Sequence, residues 1–568
     1  MAQESDNSMT DGSRRQLRLP QVSRFGWPLS SIIVAALIAT PIIVVGCSLF
    51  FDTKDDWEVL VSDLFWDYLK NTLILAAGVT TCTLVTGVTC AWTVSMCRFP
   101  GRSIFSWALL LPLAIPTYLV AYSYTDLLQF SGPIQTYLRD TFEWQRNDYW
   151  FPDVRTKWGA IVILSVVLYP YVYLAARTAF MEQSVCALEV SRTLGYGPWS
   201  SFFRVALPLA RPSIVAGCSL VLMETAAEFG AVDYCAVDTL ATGVYRTFKD
   251  EATVCAAKLA TFLLGFVGLM FLMERVSRGR AQHYHLTYRY RALPGWQLGP
   301  FRSALAIVIC TIPVLVGFII PTLVFVWRSW NYGDKRGVEL AWKLGKNTFL
   351  LAAVASLIAV TLAVVLGYGK RLMPNWISRI AVGIAGMGYA VPGGVIAIGI
   401  LIPAVWLDHK LGDFFLSTLG SDTGLLLSGT VFAVIFGYQV RFMAVSLNVV
   451  EGGLTRIRRT LDDASRTLGK SGTGTLFRVH LPLLRISLLG AALLVFVDVT
   501  KELPATMILQ PFDFDTLAVR VHTLASDERL DEASTSALMI VAVGLLPVIL
   551  LSRAMGRSRP KVGDGQTI

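Results

Sequence analysis

Residues Glu189-Val190-Ser191-Arg192-Thr193-Leu194-Gly195 recur as Asp463-Ala464-Ser465-Arg466-Thr467-Leu468-Gly469, displaced by 274 residues. Just downstream, Phe203-Arg204-Val205-Ala206-Leu207-Pro208-Leu209 returns as Phe477-Arg478-Val479-His480-Leu481-Pro482-Leu483 at the same displacement. Fainter echoes extend the repeat outward. Lys70-Asn71-Thr72 matches Lys346-Asn347-Thr348, Pro116 matches Pro392, and Asp238-Thr239-Leu240-Ala241 matches Asp515-Thr516-Leu517-Ala518. Self-similarity on this scale means one structural unit written twice.

The medium of that unit is set by composition. The 568 residues are 54% hydrophobic and only 16% charged, with a mean hydropathy of +0.56. Soluble domains carry roughly 25% charged residues, and apolar stretches of about 20 residues, enough to cross ~30 Å of hydrocarbon, recur along the chain. Twelve spans are expected at 30–51, 71–96, 104–126, 159–180, 214–229, 252–274, 303–327, 347–369, 377–407, 424–446, 486–503 and 532–552. The ninth is long and expected to break near Pro392-Gly393-Gly394. The fifth and eleventh are short and carry charge, as helices lining a path do. The fold class is therefore an all-α polytopic membrane protein of about twelve transmembrane helices in two tandem six-helix repeats. Its parts are a tail over 1–29, a first repeat over 30–274, a basic linker over 275–302, a second repeat over 303–552 and a tail over 553–568.

An even number of spans per repeat keeps both copies in one orientation, related by an axis along the membrane normal. A path along that axis is the natural consequence. Lys and Arg fall close to twice as often in the loops shared with the termini, which puts both termini in the cytoplasm. The loop 275–302 holds Arg275, Arg278, Arg280, Arg289, Arg291 and Arg302, whereas the external loop 52–70 holds Asp52, Asp55, Asp56, Glu58, Asp63 and Asp67. Loop 328–346 runs against this trend with five basic residues. The net charge of +9 is thus a topology signal and does not point to nucleic acid. Ser13-Arg14-Arg15 and Val44-Val45-Gly46-Cys47 imitate a twin-arginine signal and a lipoprotein box, but the apolar run continues past Cys47, so an uncleaved first span is expected. None of the nine cysteines forms a Cys-x-x-Cys pair, so neither zinc nor redox chemistry is indicated.

The repeated loop has its own physical logic. A short helix over 182–194 or 454–468 ends at Gly195 or Gly469, where glycine supplies a left-handed position at no steric cost. A second amphipathic stretch follows, and Leu207-Pro208 or Leu481-Pro482 is expected to break the chain before the next span. Such a helix–turn–helix outside the bilayer offers a compact surface to a soluble partner. Its spacing resembles the coupling-loop signature of ABC importer permeases: E-A-A, three residues, G, nine residues, I, one residue, L-P. Glu189, Ser191, Gly195, Leu207 and Pro208 fit it once, and Asp463, Ala464, Gly469, Leu481 and Pro482 fit it again.

That resemblance implies two copies of an ABC ATP-binding subunit docked on these loops, with ATP-Mg bound there, and an external solute-binding protein delivering cargo at a bacterial inner membrane. No cofactor is expected on this chain, which should be a transport subunit and not an enzyme. Gly469-Lys470-Ser471 mimics the end of a phosphate-binding loop, but Ala464 stands where the first glycine is required.

The fifth and eleventh spans end in Glu224-Thr225-Ala226-Ala227-Glu228 and Asp498-Val499-Thr500-Lys501-Glu502. Ionisable groups there face a cavity or a partner, which makes Glu224, Glu228, Asp498 and Glu502 candidates for the translocation path or gate. The plain alternative is an Asp498–Lys501 pair on one helix face. Lys501-Glu502-Leu503-Pro504-Ala505-Thr506 and Phe512-Asp513-Phe514-Asp515-Thr516-Leu517-Ala518 resemble fused ferric-iron importer permeases. Ferric iron is a hard cation suited to carboxylate and phenolate oxygen; thiamine, phosphonate, sulfate, molybdate and polyamines share the fold. No metal ligand set is assigned. His283 and His285, among arginines without carboxylate neighbours, read as a solvated or headgroup-facing loop. A gradient-driven secondary transporter would leave the doubled docking motif without a purpose, and a membrane enzyme would need a catalytic cluster that the chain lacks.

Overall fold

A computed structural model of the chain describes residues 22–51, 56–145, 147–182, 195, 197–278, 296–332, 335–419 and 424–557. Among them, eleven helices are long and apolar enough to cross a membrane, and one further bent pair of helices brings the number to twelve when counted as one span. They run Leu29–Phe50, Trp57–Met96, the bent pair, Lys157–Met181, Phe202–Ala227, Thr253–Met270, Pro300–Tyr332, Val338–Leu372, Gly393–Thr418, Val431–Arg456, Gly472–Lys501 and Leu530–Leu550. The all-helical solution follows from lipid as solvent, in which each N–H and C=O must find a partner inside its own segment. The protein has two six-helix repeats, as the sequence implies.

The echoes between the halves turn out to be tertiary contacts. Leu240 N–H donates to Thr72 Oγ1 at 3.0 Å, and Leu517 N–H donates to Thr348 Oγ1 at 2.9 Å. In each half a span hydroxyl thus caps the short helix that starts at the Asp-Thr-Leu-Ala segment, Leu240–Lys249 or Leu517–Ser526. Within each half the second, fourth and fifth helices pack on one another. The first span packs mainly on the eighth and ninth spans while keeping a contact with the sixth, and the seventh packs on the last span and also reaches the second, third and fourth. Tyr124 Oη donates to Val316 O at 2.7 Å and Arg328 Nε donates to Asp126 Oδ2 at 2.9 Å, fixing the crossed seventh helix. Arg328 also pairs with Asp531 on the last helix.

Two expectations need correction. The segment 104–126 is not one helix: Arg102–Ala114 and Thr117–Phe142 meet at 88°. The cause is Pro116, which pushes Ile115 out of the helical region to φ −104°, ψ 129°. The second half breaks the same way, with Val391 at φ −84°, ψ 125° before Pro392; this is the break expected there. The fifth and eleventh spans are, in contrast, longer than expected, because Leu207-Pro208 and Leu481-Pro482 do not end the helix. A π-helical turn over Phe202–Ala206 or Leu476–His480 precedes each proline. Widening the helix by one residue moves the carbonyl that the proline ring would strike and that its missing N–H would leave unpaired.

Candidate translocation site

The fifth and eleventh helices end at one shared cavity and stop alike. Glu228 (φ −69°, ψ 125°) and Glu502 (φ −66°, ψ 124°) each leave the helical region and accept a hydrogen bond from the backbone N–H three residues on: Ala231 at 3.0 Å and Ala505 at 3.2 Å. The acids are therefore caps that turn the chain, and the turn aims them at the axis. They line a cavity of about 160 Å³ together with Glu224, Asp498, Arg441, Lys501, Thr117, Tyr118, Tyr171 and Tyr389. All four carboxyl groups singled out in the sequence converge there. Four acids face two bases, a formal charge of −2.

The two halves fill this cavity differently. Arg441 Nε lies 3.1 Å from Glu502 Oε2, an ion pair by distance, although neither Nε nor Nη1 makes an aligned hydrogen bond among the described residues. At the 274-residue displacement Arg441 corresponds to Val167 and Lys501 to Ala227, so both bases come from the second half. Glu228 has the Thr117 hydroxyl as its side-chain donor instead. The residue equivalent to Thr117 is Gly393, where an added Cβ would sit 2.4 Å from Glu502 Oε1 and 2.6 Å from Arg441 Nη1. Glycine at that position is what admits the ion pair. The Asp498–Lys501 pairing does not form; Lys501 Nζ donates to Leu113 O at 2.8 Å across the half–half boundary.

Below this tier the cavity continues toward the repeated loops. Leu113, Tyr171, Tyr389, Asp498 and Lys501 also line a second cavity of about 650 Å³, walled by Pro170, Leu174, Ala175, Pro212, Ala216 and Val445. Glu224 accepts from the Tyr389 hydroxyl, and it precedes Glu228 by four residues, about 6 Å of helix rise. Two tiers of oxygen ligands thus face one axis. Among the described residues no three His, Cys, Asp or Glu side chains are close enough together to hold a metal ion.

At the other end of these helices lie the repeated loops. Glu189 and Ser191 fall outside the described residues, as do His283 and His285. Gly195 (φ +79°) and Gly469 (φ +72°) both adopt the left-handed conformation expected of them. In the second copy Asp463 and Ala464 lie on the helix Thr460–Thr467. Lys470 N–H donates to Ser465 O at 3.0 Å and Gly469 N–H to Arg466 O at 2.9 Å, a Schellman cap. Gly469-Lys470 thus forms a helix terminus, and Ser471 caps the short helix that follows. Asp463 is largely exposed. Leu468 and the equivalent pair Phe203 and Phe477 are exposed as well, an apolar surface on both copies. Leu207-Pro208 and Leu481-Pro482 lie near the starts of the spans that lead to the acidic tiers.

The second copy holds a buried polar lock. Asp462 accepts from Arg371 Nη2 at 2.6 Å and pairs with His480 Nε2 at 2.6 Å, and His480 is fully buried. Burial alone would raise the Asp462 carboxyl, but the hydrogen bonds from Arg371 and His480 prevail and hold it below the usual carboxylate range.

Arg441, Tyr118, Tyr171 and Tyr389 have no part in the sequence analysis above. For Arg441 the signal was there: a lone guanidinium in an apolar span is as costly as the glutamates. The tyrosines carried none, since phenols are frequent in apolar spans.

The family model for the binding-protein-dependent transport system inner membrane component matches residues 83–281. The chain is 25% identical over 510 residues to the Fe(3+)-transport system permease protein FbpB 2 of Haemophilus influenzae, covering 87% of this chain and 91% of that one. It is 21% identical over 589 residues to the ferric transport system permease protein FbpB of Actinobacillus pleuropneumoniae, covering 96% and 80%. A 173-residue stretch is 30% identical to the molybdenum transport system permease protein ModB of Escherichia coli, covering 30% of this chain and 72% of that protein.

Proposed function

The chain belongs to the binding-protein-dependent transport system inner membrane components, the permeases of ABC importers, and on that premise we propose that its cargo is ferric iron. The observation carrying this reading is the axial cavity, where four carboxyl groups outnumber two bases. Such a lining attracts a hard cation and repels the oxyanions and phosphonates that the fold also serves. Similarity over most of the chain to permeases named for ferric transport supports it.

The family works with an ATP-binding subunit and a solute-binding protein in a bacterial inner membrane. In the proposed arrangement two ATP-binding subunits take up the loops around 182–208 and 454–482, with both termini on their side of the membrane. ATP-Mg is hydrolysed on those partners and nowhere on this chain. Closure of the pair moves each loop as a lever on the continuous helix behind it, Phe202–Ala227 or Gly472–Lys501. The acidic tiers at the far ends of these helices then part or meet, exposing the axis to one side at a time. The repeats 30–274 and 303–552 are the units that rock. Glu189, Ser191, Gly195, Leu207 and Pro208, with Asp463, Ala464, Gly469, Leu481 and Pro482, transmit the motion; Glu224, Glu228, Asp498 and Glu502 line the path.

Uptake into proteoliposomes holding the chain, its ATP-binding subunits and the solute-binding protein tests this. Ferric iron should accumulate only with ATP, while molybdate, sulfate, thiamine and phosphonate should not. Accumulation of one of those in place of iron would overturn the cargo assignment.

A further inference from the structure

One buried polar atom in the axial cavity has no role in the fold. Tyr118 is 4% exposed, yet its hydroxyl has no hydrogen-bond partner among the described residues. An orphaned buried hydroxyl costs roughly 1–3 kcal/mol, so its retention needs a reason. Its position suggests one. The phenol lies in the electrostatic field of both Glu228 and Glu502. Gly230 and Leu503, which follow those acids, close around it: a Cβ on Gly230 would meet Leu503 Cδ2 at 2.8 Å and Tyr118 Cβ at 2.9 Å. The ring therefore stands where the two acidic turns meet.

The repeat sharpens the point. At the 276-residue displacement Tyr118 corresponds to Gly394, so one half supplies a phenol and the other leaves room. A single group on a twofold axis cannot be built by a symmetric dimer; the fused chain can build it. Arg441 is equally singular, and its guanidinium already occupies a cation position beside Glu502.

We propose that Tyr118 is a cargo ligand: a ferric ion on the axis is held transiently by the Tyr118 phenol oxygen with the Glu228 and Glu502 carboxylates, displacing Arg441 from Glu502. The inference rests on the ferric reading above. As the ion arrives, an iron–oxygen bond to its previous ligand breaks, that ligand takes the phenolic proton, and an iron–oxygen bond to Tyr118 forms. No electron moves. Arg441 supplies the counter-charge that closes the site when the ion steps down toward Glu224 and Asp498, so the site releases what it binds.

The test is a titration of the full chain, with its ATP-binding subunits in lipid nanodiscs, by ferric citrate. Wild type should develop a visible tyrosinate-to-iron charge-transfer band. Tyr118→Phe should abolish the band and weaken ferric binding roughly tenfold, as loss of a supporting group at a metal site does. Arg441→Gln should keep the band and tighten binding, because the competing cation is gone. A band that persists in Tyr118→Phe at unchanged affinity overturns the assignment, and so does weaker binding in Arg441→Gln. Should Tyr118→Phe fail to assemble, the band in wild type and the direction of the Arg441→Gln shift still decide. Ferric uptake by wild type without a band removes Tyr118 as ligand and leaves the cargo reading standing; no ferric uptake removes both.

Discussion

Replacing Asp462 by alanine should loosen the second coupling loop and leave the first untouched. Asp462 accepts from Arg371 Nε at 3.0 Å and Nη2 at 2.6 Å, and from His480 at 2.6 Å. Without it His480 loses its only bonded ring nitrogen, because Nδ1 has no partner among the described residues. Removing one member of a buried pair costs about 3–5 kcal/mol. The cost is smaller here because Arg371 keeps Leu454 O and Ile457 O and the Asp462 side chain is 14% exposed. About 2 kcal/mol remains, close to a thirtyfold rise in local opening. Hydrogen exchange on the chain in lipid should therefore accelerate roughly thirtyfold over Thr460–Thr467 but not over Phe202–Ala206, since the equivalents Leu188 and Ala206 cannot form this lock. Equal acceleration in both loops, or none, would refute the reasoning. The sign with pH follows from the depressed carboxyl. Its stabilisation is complete above the ordinary carboxylate value of about 3.9 and fades as pH falls through the lower folded value. At neutral pH the wild-type loop should show no pH dependence from this group.

Three further outcomes are expected. Gly195→Pro or Gly469→Pro should abolish transport and uncouple ATPase stimulation while leaving the protein in the membrane, because proline cannot adopt the positive φ seen at both; normal uptake in both variants would sink the coupling role. Gly393→Ala should cut ferric uptake by prising Arg441 from Glu502, and uptake at the wild-type rate would mean that the pair is not part of the path. Arg328→Ala strands the buried Asp126 at a cost of about 3–5 kcal/mol, so its yield in membranes should fall, with partial recovery in Arg328→Ala/Asp126→Asn; an unchanged yield for the single variant would rule out the staple.

Most of the architecture was legible because its signals were long and doubled. Twelve apolar runs and one motif at fixed displacement do not depend on any single residue. The ends of helices were read less well. Proline chemistry alone makes Leu-Pro a breaker, and the competing solution, a π-turn that absorbs the ring, leaves no mark on hydropathy. The break at Pro116 had a visible clue in its echo, Pro392, where a break was expected. For the site, the four acids could be found because charge is rare in lipid. Tyr118 could not, since its significance lies in the absence of a partner, which only packing reveals. Gly393 likewise looked like a helix breaker, and its close approach to an ion pair on two other spans is a tertiary fact.

The exchange of first helices has a consequence for how the protein is made. Each leading helix reaches across onto the other half, so the ribosome delivers the N-terminal half without a helix that covers part of its flank. Until Pro300–Tyr332 emerges, the groove on the second, third and fourth spans must be filled by lipid or by an insertase. Leu29–Phe50 meanwhile waits for spans made some 300 residues later. Biogenesis is therefore a clasp that closes late, and a chain truncated after its first half should be degraded, whereas the two halves expressed as separate polypeptides should complete each other.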